Sequence, residues 1–141
     1  MAEKSKLLIN SLKKIPIFAA LPPNSVKLLV SLCEPRSLEE GEELCTSGTP
    51  SDEMYILLAG ELSVTTEGGM LVATLTPITT VGEMGVITGQ PRSATVEVSK
   101  SSNIFVVKKR IFDGILRSDS KMRATVYKNI IDVLCDKLNN D

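Results

Sequence analysis

The sequence has no histidine and no tryptophan, only three cysteines, and only two tyrosines and three phenylalanines. Each scarcity removes a class of chemistry. Without histidine there is no Ser-His-Asp triad, no Cys-His pair, and no His-ligated zinc, haem or non-haem iron. A phosphohistidine relay is excluded too. Cys33, Cys45 and Cys135 are odd in number, far apart, and form no C-x-x-C. A redox pair, a zinc knuckle or an iron–sulfur cluster is therefore not expected. The three are expected as reduced thiols packing like small hydrophobes. Met1–Asn10 carries Glu3, Lys4 and Lys6 beside a short apolar run, so it matches neither a secretory signal nor a membrane span. A cytoplasmic, reducing setting is the expectation. An excess of one charge is missing as well: 16 basic residues face 17 acidic ones, whereas a nucleic-acid-binding domain is expected to be basic.

What is present is a globular chain. Its 141 residues are 43% hydrophobic, enough for one domain with a core. Eight of the nine glycines lie between Gly41 and Gly89. Glycine punctuates turns, so the middle is expected to be β, with helices at both ends. One domain over 1–141 is predicted, with N-terminal helices over 1–34, a β roll over 35–108 and C-terminal helices over 109–141.

Leu8, Leu12 and Ile15 repeat at helical spacing until Pro16, which predicts a helix from about Ser5 to Ile15. Pro22-Pro23-Asn24 opens a second, with Val26, Leu29, Val30 and Cys33 in one stripe and Pro35 as its end. Short strands are predicted over Glu42–Cys45, Met54–Ala59 (closed by Gly60), Leu62–Val64, Met70–Leu75 after a Gly68-Gly69 turn, Ser93–Val98 and Ile104–Val107. Val81–Gly89 is too short for an ordinary helix. Phe112–Arg117 and about Asp119–Leu138 are predicted as the last two helices, with Ser118 or Asp119 capping the second. Several short strands at close spacing suggest a small antiparallel barrel or jelly roll. The apolar residues of the final helix fill an arc of about 220°, where about 100° suffices for one packed face. Two buried faces are expected, one on the domain and one on a partner, most simply a second copy.

The informative segment is Val81–Val96. Arg92 shares strand parity with Ala94, Val96 and Val98, so it is expected to enter the interior. A buried Arg needs an anion: a carboxylate such as Asp52 or Glu83, or a bound ligand. Gly82, Gly85 and Gly89 let backbone approach a ligand, and a short turn from Glu83 would aim free N–H groups at an anion. Glu83 can accept from sugar hydroxyls, and a guanidinium grips a phosphate bidentately. One carboxylate, one guanidinium and free amides suit a sugar phosphate better than a reaction, so no enzyme is expected. Ser11-x-x-Lys14 and Ser118-x-x-Lys121 match a catalytic spacing, but no Ser-Asp-Asn or Lys-Thr-Gly accompanies them. Residues 34–67 hold nine acids and one base, while 92–123 hold eight bases and three acids. Solvated faces are the ordinary reading, and an anion-attracting cleft the functional one.

Gly82-Glu83-Met84-Gly85, followed at the right spacing by Pro91-Arg92-Ser93-Ala94-Thr95, resembles the phosphate-binding cassette of the cyclic-nucleotide-binding domain family. Gly41, Gly48, Asp52, Tyr55 and Gly60 fall where that family has turn glycines and a Gly-x-x-x-Asp segment. The resemblance runs from about Phe18 to the final helix. It implies a jelly-roll barrel with a C-terminal lid, and cAMP or cGMP as the ligand with no cofactor or metal. It implies Glu83 on the ribose 2′-hydroxyl, with Gly82 and Met84 beside it. Arg92 would take the cyclic phosphate, helped by Ser93, Ala94 and Gly85, and Asp52 would orient Arg92. Val64, Leu75 and Val81, with Leu62, are implied for the apolar wall beside the base. Met122, Arg123, Val126 or Tyr127 would act as lid. Two positions depart from the family pattern. Val81 stands where an aromatic is common. Ser93 stands where Thr goes with cGMP and Ala with cAMP, and it leans toward cAMP.

No helix-turn-helix follows Leu138, and no channel or kinase precedes the cassette. A free-standing sensor or an excised regulatory domain is expected. A cupin-type metalloenzyme on a similar barrel would need histidines. The remaining alternative is an interaction or dimerisation module of the same fold that answers to no nucleotide. With no histidine, any switch is expected to answer to ligand and not to proton.

Overall fold

A computed structural model describes residues 2–139. They form α1 (Ala2–Lys13), a 3-10 turn (Pro16–Phe18), α2 (Pro23–Leu32), β1 (Glu34–Leu38), β2 (Glu43–Cys45), β3 (Glu53–Thr65), β4 (Leu71–Leu75), β5 (Thr79–Val81), α3 (Glu83–Thr88), β6 (Thr95–Lys108), α4 (Lys109–Ser118) and α5 (Ser120–Asn139). The chain divides into two compact units. One comprises the residues up to Leu32 and from Asp113 onward, and the other is Cys33–Phe112.

In the helical unit, Leu8, Leu12 and Ile15 are buried as their spacing predicts. Pro16, lacking an N–H, cannot continue α1 and starts the 3-10 turn instead. On α2, Val26 and Leu29 are buried while Val30 is only half-buried. Asp119 caps α5, its Oδ1 accepting from the Met122 N–H at 3.0 Å. Ser118 turns back to donate to the Ile115 carbonyl at 3.0 Å. Ser11 likewise donates to the Leu7 carbonyl at 2.8 Å. Both Ser-x-x-Lys hydroxyls are thus spent on their own helices.

Of the two faces expected on α5, one is buried within the chain. Met122, Val126 and Ile130 are buried, but Tyr127, Ile131, Leu134 and Leu138 lie exposed along the helix. One chain covers only one of the faces.

The β unit is one antiparallel sheet built on two long strands, β3 and β6. β1 and β2 pair with the outer edge of β6. β4 and β5 pair with the outer edge of β3. Among the described residues no pairing joins β1 to β4, so the roll is open rather than a closed barrel.

Two expected breaks are corrected. Gly60 does not close a strand, because β3 runs through it. The polar stretch Ser99–Asn103 does not separate two strands, because β6 runs through it. The β3–β6 register shifts three times between Leu57 and Leu62. Such irregularity bends a strand pair without ending it. Gly60 has φ +101° there, and a Cβ would meet the Ser101 carbonyl oxygen at 2.5 Å.

Leu57, Leu62, Val96, Val98, Ile104 and Val106 form the core of this unit with Leu38, Cys45, Tyr55 and Val81.

Candidate functional site

The segment between β5 and β6 carries the chemistry. Gly82 has φ +80° and starts α3, and Gly89 has φ +79° and ends it, its N–H donating to the Gly85 carbonyl at 2.8 Å. Glycine suits both positions because the left-handed region penalises a Cβ. At Gly82 there is a second reason: a Cβ would collide with Arg92 Nη1. At Gly85 a Cβ would collide with Ser51 Oγ, itself donating to the Gln90 carbonyl at 2.7 Å. The first turn of the segment is therefore packed through Gly82 and Gly85.

Arg92 precedes β6 instead of lying on it, yet it is buried, with 8% of its surface exposed. Its backbone is clamped to the β2–β3 connection: its N–H donates to the Thr49 carbonyl, and its carbonyl accepts from the Gly48 N–H, both at 2.8 Å. Its Nη2 donates to the Glu53 carbonyl at 2.7 Å and reaches Tyr55 Oη at 3.5 Å. The guanidinium carbon sits 5.5 Å from the Tyr55 ring centroid, a cation–π distance. Asp52 lies 3.8 Å away with 81% of its side chain exposed, so it is a weak, solvent-screened partner. Arg92 Nη1 is buried and has no hydrogen-bond partner among the described residues.

Tyr55 and Glu53 hold this arrangement. Tyr55 Oη donates to Glu53 Oε1 at 2.9 Å, and Glu53 Oε2 pairs with Arg36 at 3.6 Å. Burial, then negative neighbours, raises the Tyr55 hydroxyl above its usual range, so it stays a donor. The Glu53 carbonyl and the Thr49 backbone have no sequence signal, because any residue supplies a main-chain group.

Glu83 is half-buried in the first turn of α3 and has no ion pair among the described residues. Met84, Gly85 and Ala94 are also half-buried, and Ser93 is exposed. Leu62 and Val81 belong to the core of the β unit, and Val64 and Leu75 pack partly buried against it. Lys109 connects the segment to the start of α4: its Nζ donates to the Val86 carbonyl at 2.6 Å and its N–H to the Asp52 carbonyl at 2.9 Å. In α5, Met122 and Val126 are buried, Tyr127 is exposed, and Arg123 reaches the Leu116 carbonyl at 3.4 Å. Among the described residues there is no cluster of metal-ligating side chains, and no helix is long and apolar enough to cross a membrane.

Alkaline pH is expected to be the weak side of this fold. Burial pushes the Cys33 thiol from its ordinary 9.0 up to about 12 and raises Cys45 as well. A raised value means that the neutral thiol stabilises the native state below its unfolded pKa, and that this contribution is lost as pH rises through the folded one. The urea midpoint should be level up to about pH 9 and fall above it, less steeply in Cys33→Ala. A midpoint unchanged well above that pH would contradict the burial argument.

The sequence matches the cyclic nucleotide-binding domain family over residues 35–119. It is 24% identical over 130 residues to cGMP-dependent protein kinase 2 of Homo sapiens, covering 92% of this chain and 17% of the kinase. The chain spans less than a third of the length of the curated relatives it matches. Among solved structures, a cyclic nucleotide-binding domain of Methylobacillus flagellatus superposes with a TM-score of 0.81 at 22% identity, covering 98% of this chain and 80% of that one. The regulatory domain of Toxoplasma gondii PKA, crystallised with cAMP, superposes with a TM-score of 0.78 at 20% identity, covering 82% and 45%. With the cassette, the open roll and the family match in agreement, this chain belongs to the cyclic nucleotide-binding domain family.

Proposed function

We propose that this chain is a regulatory module that binds a cyclic purine nucleotide, cAMP first, and reports it through its C-terminal helices. The observation that carries this reading is Arg92 Nη1, a buried donor without a partner beside Gly82. An unsatisfied buried donor costs about 1–3 kcal/mol, and a cyclic phosphate would supply the missing acceptor and the counter-charge. Glu83, with its carboxylate unpaired, takes the ribose 2′-hydroxyl. Ser93 and Ala94 follow Arg92 on the phosphate side, with Gly82, Met84 and Gly85 lining the approach. Asp52 adds a screened charge behind Arg92. Val64, Leu75 and Val81 receive the base, with Arg123 and Tyr127 as the more exposed of the four lid residues. Ser93, in place of Thr, leans toward cAMP, while relatives and neighbours include both a cGMP-dependent kinase and a cAMP-bound regulatory domain, so both nucleotides belong in the titration.

In this reading Lys109 carries the response outward, since it ties the end of α3 to the start of α4. A ligand moves helices only by its differential affinity for two states. Titrating the chain calorimetrically with cAMP and cGMP tests the reading. Saturable binding of either is expected, and no heat and no melting shift with either at millimolar concentration would overturn it.

The same helix supports a homodimer. Tyr127, Ile131, Leu134 and Leu138 follow one another at spacings of four, three and four residues. A two-stranded coiled coil has this spacing of three and four along its seam. The chain should sediment as a dimer and Ile131→Glu as a monomer. A wild type that stays monomeric at high concentration with nucleotide present would end the dimer reading.

A further inference from the structure

The helical unit contains a cavity of about 390 Å³, in the range of small-molecule sites, about 300–1,000 Å³. It lies away from the cassette in sequence and shares none of its residues. Ile9, Phe18, Leu21 and Val26 give it an apolar lining. The charged residues on that lining are Lys13 and Lys27, with no carboxylate among the residues around it. Neither lysine has an ion pair among the described residues.

The wall also has a fixed backbone conformation. Ala20, on the lining, has φ +63°, the left-handed region that a Cβ disfavours. Just before it, buried Asn129 of α5 donates to the carbonyls of Ile17 and Ala19, at 3.1 and 2.8 Å. Strain kept in place by a buried clamp is a mark of binding sites.

We propose that this cavity binds a single-chain anionic amphiphile, whose apolar tail fills the lining and whose carboxylate or phosphate head pairs with Lys13 and Lys27. The apolar wall selects the tail by burial. Two cations with no anion beside them select the sign of the head, and lysine can lay its stem on the wall while its ammonium stays in water. Neither Arg92 nor Glu83 takes part, so this proposal and the nucleotide reading stand or fall separately.

The test is calorimetric titration of the full chain with decanoate, decyl phosphate, decanol and decyltrimethylammonium, each below its micelle threshold. Saturable binding of decanoate or decyl phosphate is expected, and which of the two is tighter identifies the head. Decyltrimethylammonium should bind more weakly by about five- to thirty-fold or more. Lys13→Gln with Lys27→Gln should erase the preference for the anions over decanol while decanol still binds. Ala19→Phe, whose ring would occupy the cavity, should lose all four. Circular dichroism and a cooperative melt establish that each variant is folded. If Ala19→Phe does not fold, the lysine pair still decides, because both side chains are exposed. No saturable binding of any probe would overturn the proposal. So would equal affinity for decanoate and decyltrimethylammonium, or an anion preference that survives loss of both lysines.

Discussion

Arg92→Ala should weaken cyclic-nucleotide binding by about 2–5 kcal/mol, roughly thirty-fold to several thousand-fold. Starting from about micromolar affinity, near −8 kcal/mol, that leaves a Kd between roughly 30 μM and several millimolar. The size follows from burial. With 8% of its surface exposed, the guanidinium meets its anion with little solvent screening, and removing it takes away the charge that the Glu53 carbonyl and the Tyr55 hydroxyl hold in place. The fold should suffer far less. The variant loses one good hydrogen bond but also deletes a buried unsatisfied donor. Arg92→Lys should recover part of the loss, because an ammonium restores the charge but not the two-pronged contact. Isothermal titration with urea unfolding separates the two effects. Nucleotide binding by Arg92→Ala at wild-type strength would refute the assignment of the phosphate to this residue.

Gly60→Ala should destabilise the chain by about 2–5 kcal/mol, from backbone strain plus overpacking. The residue has φ +101°, and an added Cβ would meet the Ser101 carbonyl oxygen at 2.5 Å and the Ser102 Cα at 2.6 Å. Both are backbone atoms of β6, so no side-chain rotation can relieve the contact. Gly41→Ala is the control: φ is +95° there, but nothing lies within 4 Å of an added Cβ. It should show the conformational cost alone, about 1–2 kcal/mol. The difference in urea midpoint between the two variants reads out the β3–β6 approach. Equal losses would mean that the close contact adds nothing.

Gly60 also illustrates what sequence patterns miss. A glycine after an apolar run reads as a strand end, because the same residue type serves a turn and a bulge. Only the partner strand decides which. The serines at 99, 101 and 102 are similar. They look like a loop, yet Ser102 accepts from the Glu61 N–H at 3.1 Å and donates to the Lys100 carbonyl at 2.6 Å, which repairs the pairing at the bend. Arg92 was legible because a charged residue in a run of small and apolar ones needs a reason. Its clamp on the Gly48–Thr49 turn was not, since main-chain carbonyls leave no trace in side-chain identity.

The absence of histidine excludes histidine-based catalysis and His-ligated metals, and the spacing from Gly82 to Thr95 places the chain in its family by itself. The positions of the terminal helices follow from the sequence as well, because helical periodicity and proline act within a few residues. Tertiary structure alone decides three other features. The roll is open, the long strands bend through their polar stretches, and α5 leaves Tyr127, Ile131, Leu134 and Leu138 exposed. Each depends on contacts between residues distant in the chain. It also decides that Arg92 keeps one donor unspent, since whether a buried group is satisfied is a property of everything packed around it.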